Sequence, residues 1–458
     1  MKTKKILSLL VCSALCLSMA ACSDSENSKT EKTDTGSSQS SVQSGDSDKI
    51  TYNFDRTIGN VEVGGKKYQT YINKPIRFNF EEIPYEEWLA YESPYDEYIE
   101  LYYDDGSGLF NIEQTTAFAL RYAYENDIEY LDLPFEYSDM TIEQGWHYLS
   151  LSFPNVPDAI AMSTSEYTSD GYTRIKLSDS VRKCASASET IEAAKEIIAS
   201  MPDELTTDAE KAYYLYDWIC TNVGYDSYHA ENNVGIVNAA PQSAYGALVD
   251  RRAVCDGIAG GLQLLFNMAG IDCAKIDANE NDSDGGHVWN VAEIDGEVWD
   301  FDATWDICNY YESEGDELTE TEPYYFYEWF GVSRNAKAGY SISDVCNKLA
   351  PATQSVITEK SPCTLIYDYV ISFDMENATA MVYGKDGTVS ENAGEYVLDK
   401  LSQMKKGDKL CIKMSDGIEA LAAKFCSLDP IAEGYSNYEL ITYLNPTVGD
   451  MVVEVQEE

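Results

Sequence analysis

The chain has 458 residues, room for two to four domains at about 100–200 residues each. Hydrophobic residues make up 44% and charged residues 24%, so most of it can bury cores. With 79 acidic against 32 basic residues, net −47, it lacks the phosphate-neutralising charge of a nucleic-acid binder and the basic face that docks on anionic lipid. Three histidines, His147, His229 and His287, leave little room for a multi-histidine metal site. The 35 tyrosines suit an ordered extracellular protein better than a disordered acidic one.

The N-terminus opens with Lys2, Lys4 and Lys5, followed by an apolar run, Ile6 to Met19, too short to span a bilayer stably. It ends in Met19-Ala20-Ala21-Cys22, which resembles the lipobox of bacterial lipoproteins, with Met where Leu is usual. The resemblance implies cleavage after residue 21 and a lipid on Cys22, anchoring the protein outside the cytoplasm. An ordinary secretory signal cut nearby is the alternative. Removing residues 1–21 leaves 29 basic and 79 acidic residues, net −50. Residues 22–49, with nine serines, form a flexible tether spanning roughly 30 Å. Nine cysteines lie beyond Cys22, and none forms a CxxC pair, so a zinc knuckle has no support. An odd count in an exported protein invites a free thiol.

Residues 50–84 read as strands, with Gly64-Gly65 as a primed-type hairpin turn. Glu81 to Asp105 reads as a solvated acidic, tyrosine-rich surface. Ile112 to Asn126 has helical periodicity, and a second short helix is expected over Thr141 to Leu151. Asp170-Gly171 joins two alternating segments as a hairpin. Ser188 to Ser200 is helical. Thr207 and Glu210 form a capping box before a helix with the stripe Ala212, Leu215, Tyr216, Ile219 and Val223. Pro241 to Val254 is a loop with one short helical turn at most. Cys255 to Ala269 is a buried helix closed by Gly270. Its Gly257, Gly260 and Gly261 each cost about 1 kcal/mol of helix propensity, which implies close backbone packing. Strands follow at His287 to Ile294 and Glu297 to Ala303, then a polar loop to about Pro323, an aromatic segment at 324–330 and a linker at 345–363. The tail reads strand, strand, helix (391–404), strand (408–414), helix (415–426) and two strands.

The Asp295-Gly296 turn permits a geometric deduction. A two-residue loop pairs Ile294 with Glu297, so opposed residues have numbers summing to 591. Asp302 then faces Trp289 and His287 faces Thr304. His287 and Asp302 become diagonal neighbours on one face, close enough for the carboxylate to orient the imidazole. That is the base half of a catalytic triad. Cys255 opens a helix whose N-terminus stabilises a thiolate, and its backbone N–H is a candidate oxyanion donor. Asp256 opposes the thiolate by charge. Trp289, Asn290 and Trp305 are candidate substrate-groove residues.

Several segments resemble bacterial transglutaminase-like proteins: Ser243 to Leu248, Ala253-Val254-Cys255-Asp256-Gly257-Ile258-Ala259, Gly270-Ile271, His287-Val288-Trp289-Asn290 and Asp302-Ala303-Thr304-Trp305-Asp306. Tyr225-Asp226 and Tyr324-Tyr325-Phe326 fit the flanking pattern. The resemblance spans roughly residues 110–335 and implies a papain-like triad of Cys255, His287 and Asp302. Two departures bear on the groove: Gly257-Ile258-Ala259 where the family commonly has Gly-Tyr-Ala, and Arg251-Arg252 where it often has glycine.

The expected fold class is α+β, a nucleophile helix packed on an antiparallel sheet. The expected organisation is signal 1–21, tether 22–49, β-rich region 50–110, transglutaminase-like domain 111–335 and C-terminal α/β module 364–458. The expected function is thioester chemistry on protein or peptide amides, with a cell-wall peptide as one substrate, without cofactor or metal. Asp277 to Asp284 resembles a calcium loop, but Asp282 and Val288 stand where an EF-hand needs glycine and glutamate. The rival is a surface adhesion or scaffold protein using the same fold without turnover.

Overall fold

A computed structural model of the protein describes residues 58–457 apart from several segments, the longest being 100–108, 135–150, 156–163, 347–359, 391–402 and 415–437. The signal, the tether and the helix expected at 415–426 lie outside the described residues, as do all but the last residues of the helices expected at 141–151 and 391–404. The architecture is α+β. Among the described residues no helix is long and apolar enough to cross a membrane.

Ile58–Val63 and Lys66–Tyr71 pair through Val63 and Lys66, and Gly64 and Gly65 have φ of 58° and 83°, as a primed two-residue turn requires. A five-stranded sheet follows, running from Arg77–Phe78 to Lys176. Its outer hairpin pairs Tyr167 with Thr173, and the Thr168 N–H donates to the Tyr172 carbonyl at 2.8 Å. The loop is therefore Ser169-Asp170-Gly171, one residue longer than Asp170-Gly171 alone, with Gly171 at φ 86°. The helix Ile112–Glu125 packs Ala119, Leu120 and Ala123 into one core with Tyr68, Phe78, Leu131 and Ile175. It thus shares its core with the N-terminal strands rather than with the Cys255 helix. The acidic, tyrosine-rich stretch is not all solvated surface. Trp88, Tyr95 and Ile99 are buried, and Tyr95 and Ile99 belong to the core beneath the Cys255 helix.

The second core is built on two helices. Asp208–Asn222 opens with Thr207 Oγ1 accepting the Glu210 N–H at 3.2 Å while Glu210 Oε2 accepts the Thr207 N–H at 3.0 Å. All five residues of its predicted stripe are fully buried. Cys255–Met268 lies on it, joined by Trp299, Phe301 and Phe330. The close packing at glycine is explicit. A Cβ on Gly257 would lie 2.4 Å from the Pro241 carbonyl oxygen, and one on Gly260 3.1 Å from that of Pro154.

Against this helix stands a four-stranded antiparallel sheet in the order Glu297–Phe301, Gly286–Ile294, Cys273–Glu280, Tyr340–Ile342. Ala292 and Ile294 face the helix core. Trp289 and Val291, offset by one residue, join Ala274, Ile276 and Cys346 in a cluster on the opposite face. Of the four-stranded sheet, Cys273–Glu280, whose end overlaps the Asp277–Asp284 stretch expected to be a loop, and Tyr340–Ile342 escaped the sequence reading, and so did a second small sheet. Asn309–Tyr311 and Leu318–Glu320 pair inside the stretch expected to be a polar loop, in a small sheet with Gly224–Asp226 and Arg252–Ala253. Cys346 and Ser361 to Cys363 are buried, so both ends of the expected linker are packed. The C-terminal strands form a six-stranded sheet. Its parallel pair, Tyr369–Asp374 with Lys409–Met414, needs a crossover connection.

Candidate active site

The Asp295-Gly296 turn pairs Ile294 with Glu297, as the summed register requires. The ladder ends at Asn290 with Phe301, one residue before Asp302. Asp302 instead precedes the short helix Ala303–Asp306, so Thr304 does not pair with His287. The diagonal neighbourhood survives this early ending. His287 Nε2 lies 2.7 Å from Asp302 Oδ2, and both side chains are buried.

With Nε2 committed to the carboxylate, Nδ1 is the nitrogen left for the thiol. The Cys255 side chain lies near enough to act on the charge of His287. Burial alone would push the imidazole pKa down, but the Asp302 charge and hydrogen bond, with the neighbouring Cys255, outweigh it and raise it to about 9. Burial also opposes ionisation of Asp302. The Lys337 and His287 charges overcome that and hold its carboxyl below the usual range. Of the three side chains named by the sequence, His287 and Asp302 are in contact, at a strand end and a helix cap, and Cys255 stands nearby at a helix start.

Cys255 is partly exposed and begins its helix with no side chain capping the N-terminal N–H groups. Donors of this kind are available to a developing oxyanion. The opposition expected from Asp256 is answered in the fold, because buried Lys275 donates to Asp256 Oδ1 at 2.7 Å. Two helix-proximal arginines are engaged as well. Arg251 has φ 60°, a conformation that favours glycine, and its guanidinium lies over Trp218 at 4.2 Å. Arg252 Nε donates to Asp226 Oδ2 at 2.6 Å. Neither position contradicts the glycine usual there; Arg251 adopts the backbone that glycine would take.

Of the three candidate groove residues, Trp305 alone is exposed, at 55%. Trp289 is 1% exposed and its indole N–H donates to Asp300 Oδ2 at 3.0 Å. Asn290 is equally buried, and its Nδ2 donates to the Ala259 carbonyl at 2.9 Å, tying sheet to helix. Both are structural. Trp305 Nε1 lies 3.0 Å from His287 Nε2. An Nε2 that carries its proton toward Asp302 cannot also accept one, so the indole N–H is an uncommitted donor at the rim of the site.

Two participants, Lys337 and Arg334, had no sequence signal. They sit in the polar string Arg334-Asn335-Ala336-Lys337, which reads as solvated loop. Lys337 is buried and bonds Asp302 Oδ2, and Arg334 Nε donates to Asp300 Oδ2 at 2.7 Å. Asp306 is buried too. It accepts from Tyr216 Oη at 2.6 Å and from the Glu328 and Trp329 N–H groups at 2.9 and 2.8 Å, which fixes the aromatic segment beside the site. Burial pushes its carboxyl up to about 7, against the pull of those bonds. His229 is buried away from this cluster, and His147 lies outside the described residues. Among the described residues no group of three or more metal-ligating side chains converges, while Asp282 and Asp284 of the loop before His287 lie outside them. All eight described cysteines, from Cys184 to Cys411, are thiols, and Cys426 lies outside.

Residues 193–303 match the transglutaminase-like superfamily. No curated protein matches the chain. Among solved structures, a TGase is 13% identical over 36% of this chain and 47% of its own, with a TM-score of 0.21. A proposed cysteine protease from Cytophaga hutchinsonii is 15% identical over 32% of this chain and 62% of its own, also at TM-score 0.21. A proposed protease from Parabacteroides distasonis is 10% identical over 64% and 62%, again at 0.21. The matched segments span about half to three fifths of those chains, and overlaps this loose carry no weight for function. The family match and the helix-on-sheet core agree with each other: residues 193–303 form a domain of the transglutaminase-like superfamily.

Proposed function

We propose that the protein is an extracytoplasmic, lipid-anchored cysteine enzyme that acts on protein or peptide amides. The observation carrying this reading is His287 held at 2.7 Å by the buried Asp302 carboxylate, with the partly exposed Cys255 near enough at its helix start to act on the imidazole charge. In this reading the Cys255 thiolate attacks the amide carbonyl and the developing oxyanion meets N–H groups at the helix start. The His287 imidazolium gives its proton to the leaving amine as the C–N bond breaks. A thioester remains. Water or a second amine then attacks it, losing a proton to the now neutral His287, and the thiol is regenerated. The acyl group ends as a free acid in the first case and as a new amide in the second.

Trp305 supports a role for an extended peptide, because a large exposed indole beside the nucleophile offers a face on which an apolar substrate segment can lie. An adhesion or scaffold role would need none of the buried charge arrangement behind His287. The Cys22 lipid and the serine-rich tether would place the domain within reach of cell-wall peptides. The test is incubation of the mature protein with peptide libraries, with and without an added primary amine, read by mass spectrometry. Hydrolysed or amine-coupled products that vanish in Cys255→Ala support the proposal. Products that persist in Cys255→Ala overturn it.

A further inference from the structure

Lys337 is the feature that neither the family motifs nor the triad accounts for. It lies outside the matched segment, on the single-turn helix Arg334–Lys337, and its side chain is fully buried. A buried ammonium carries a large desolvation cost unless it is paired. Its partner is Asp302 Oδ2, the same oxygen that takes His287 Nε2. Asp302 Oδ1 is buried with no hydrogen-bond partner, so both cations converge on one atom. The ammonium also lies 3.9 Å from the ring centre of Trp329 and 5.0 Å from that of Trp289, faces that favour a cation. The same helix turn sends Arg334 to Asp300, two residues before Asp302 on the Glu297–Phe301 strand. One turn of helix therefore supplies a cation to each of two buried aspartates.

We propose that Lys337 is a positioning residue for the reaction of Cys255: it fixes the Asp302 carboxylate and shares its charge with His287, thereby setting the pH at which the thiolate–imidazolium pair forms. The inference rests on the proposed role of Cys255. A carboxylate facing His287 alone would give its whole charge to the imidazole. Paired with Lys337, the Asp302–Lys337 unit is close to neutral, and the imidazolium is balanced by the thiolate instead. The other charged and titratable groups around this cluster come from six elements, among them the Asp208–Asn222 helix with Tyr216 and Cys220 and the Gly224–Asp226 strand with Tyr225. The Cys255 helix brings Asp256, already paired with Lys275, and the Cys273–Glu280 strand brings Glu280. The Tyr340 strand brings Tyr340, and the Glu297–Phe301 strand with its cap brings Asp300, paired with Arg334, and Asp306.

The experiment needs no substrate. Alkylation of Cys255 by iodoacetamide, followed by peptide mass spectrometry across pH 4–10, reads the thiolate directly. Removing one positive charge makes every neighbouring group hold its proton more tightly. In Lys337→Met the pH of half-maximal alkylation should rise by about one unit, whereas Lys337→Arg, which keeps the charge, should leave it at the wild-type position. A folded Lys337→Met whose midpoint does not move overturns the inference while leaving the enzyme reading intact. A wild-type Cys255 that reacts like an ordinary exposed thiol sinks the enzyme reading itself. Should the variants not fold, the wild-type protein still decides through the ¹⁵N signal of the Lys337 ammonium. A neutral amine at a pH where Cys255 is already alkylated overturns the inference.

Discussion

Asp302 and Asp300 stand two residues apart on one face, and both are fully buried, yet they serve different partners. Asp302 holds His287 and Lys337; Asp300 holds Arg334 and the Trp289 indole. Asp302→Asn keeps the shape and an acceptor for one donor. It removes the charge that stabilises the imidazolium and can impose the wrong tautomer, which in serine triads costs about 10⁴-fold in rate. It also strands Lys337, so the variant should fold with lower stability, a cost that the sequence alone did not reveal. Asp300→Asn strands Arg334, which is partly exposed and can turn to solvent. Its expected effect is a stability loss of about 1–3 kcal/mol with most of the rate retained. Urea unfolding and turnover of both variants check this. A greater rate loss at Asp300 would show that the third member of the triad is misassigned.

At the scale of elements, what was legible and what was not divides by distance along the chain. The Gly64-Gly65 and Asp295-Gly296 turns are two-residue loops between alternating strands, and local chemistry alone sets their register. The Thr207 capping box and the buried stripe after it are likewise local. From the second turn the pairing of His287 with Asp302 could be deduced before any coordinates. Lys337 could not, because it meets Asp302 from 35 residues away and nothing in Arg334-Asn335-Ala336-Lys337 marks the lysine as buried. The strands Asn309–Tyr311 and Leu318–Glu320 have three residues each, too few for a period to show, whereas the eight-residue Cys273–Glu280 was missed because it is buried on both faces at its start and ends in the polar Asp277-Ala278-Asn279-Glu280, which reads as loop. The three glycines of the Cys255 helix allow a graded test of packing. A methyl at Gly257 would meet backbone at 2.4 Å, and one at Gly260 at 3.1 Å. Helix propensity alone would favour alanine at both. Gly257→Ala should therefore destabilise the domain and displace Cys255, while Gly260→Ala should be nearly neutral. Thermal unfolding with Cys255 alkylation rates measures both, and equal effects would refute the packing account.

Two further predictions belong at the scale of the whole molecule. If Cys22 holds the lipid, Cys22→Ser should move the protein from the membrane fraction to the soluble one; a variant that stays with the membrane removes the anchor from the proposal. The second concerns the pH dependence of stability. His287 has an imidazole raised from its ordinary 6.5 to about 9 in the fold, so the folded protein binds that proton more tightly than the unfolded chain does. The resulting stabilisation is fully present below about pH 6.5 and is lost as pH rises through about 9. Asp302, held below its ordinary range, works in the opposite sense: its contribution is present above about pH 4 and disappears on further acidification. Between pH 6.5 and 9 Asp306 and the buried thiols, whose pKa values are raised by burial, also contribute to the slope, so the His287 part is isolated by comparison with a His287 variant in which they cancel. Urea unfolding followed by tryptophan fluorescence suits this, because Trp289, Trp305 and Trp329 surround the cluster. The stability gap between wild type and His287→Gln should be a few kcal/mol at pH 6 and should shrink steadily toward pH 9.5. A gap that stays constant across that range would mean that His287 keeps the same proton in folded and unfolded chains, and that the carboxylate behind it does not hold an imidazolium.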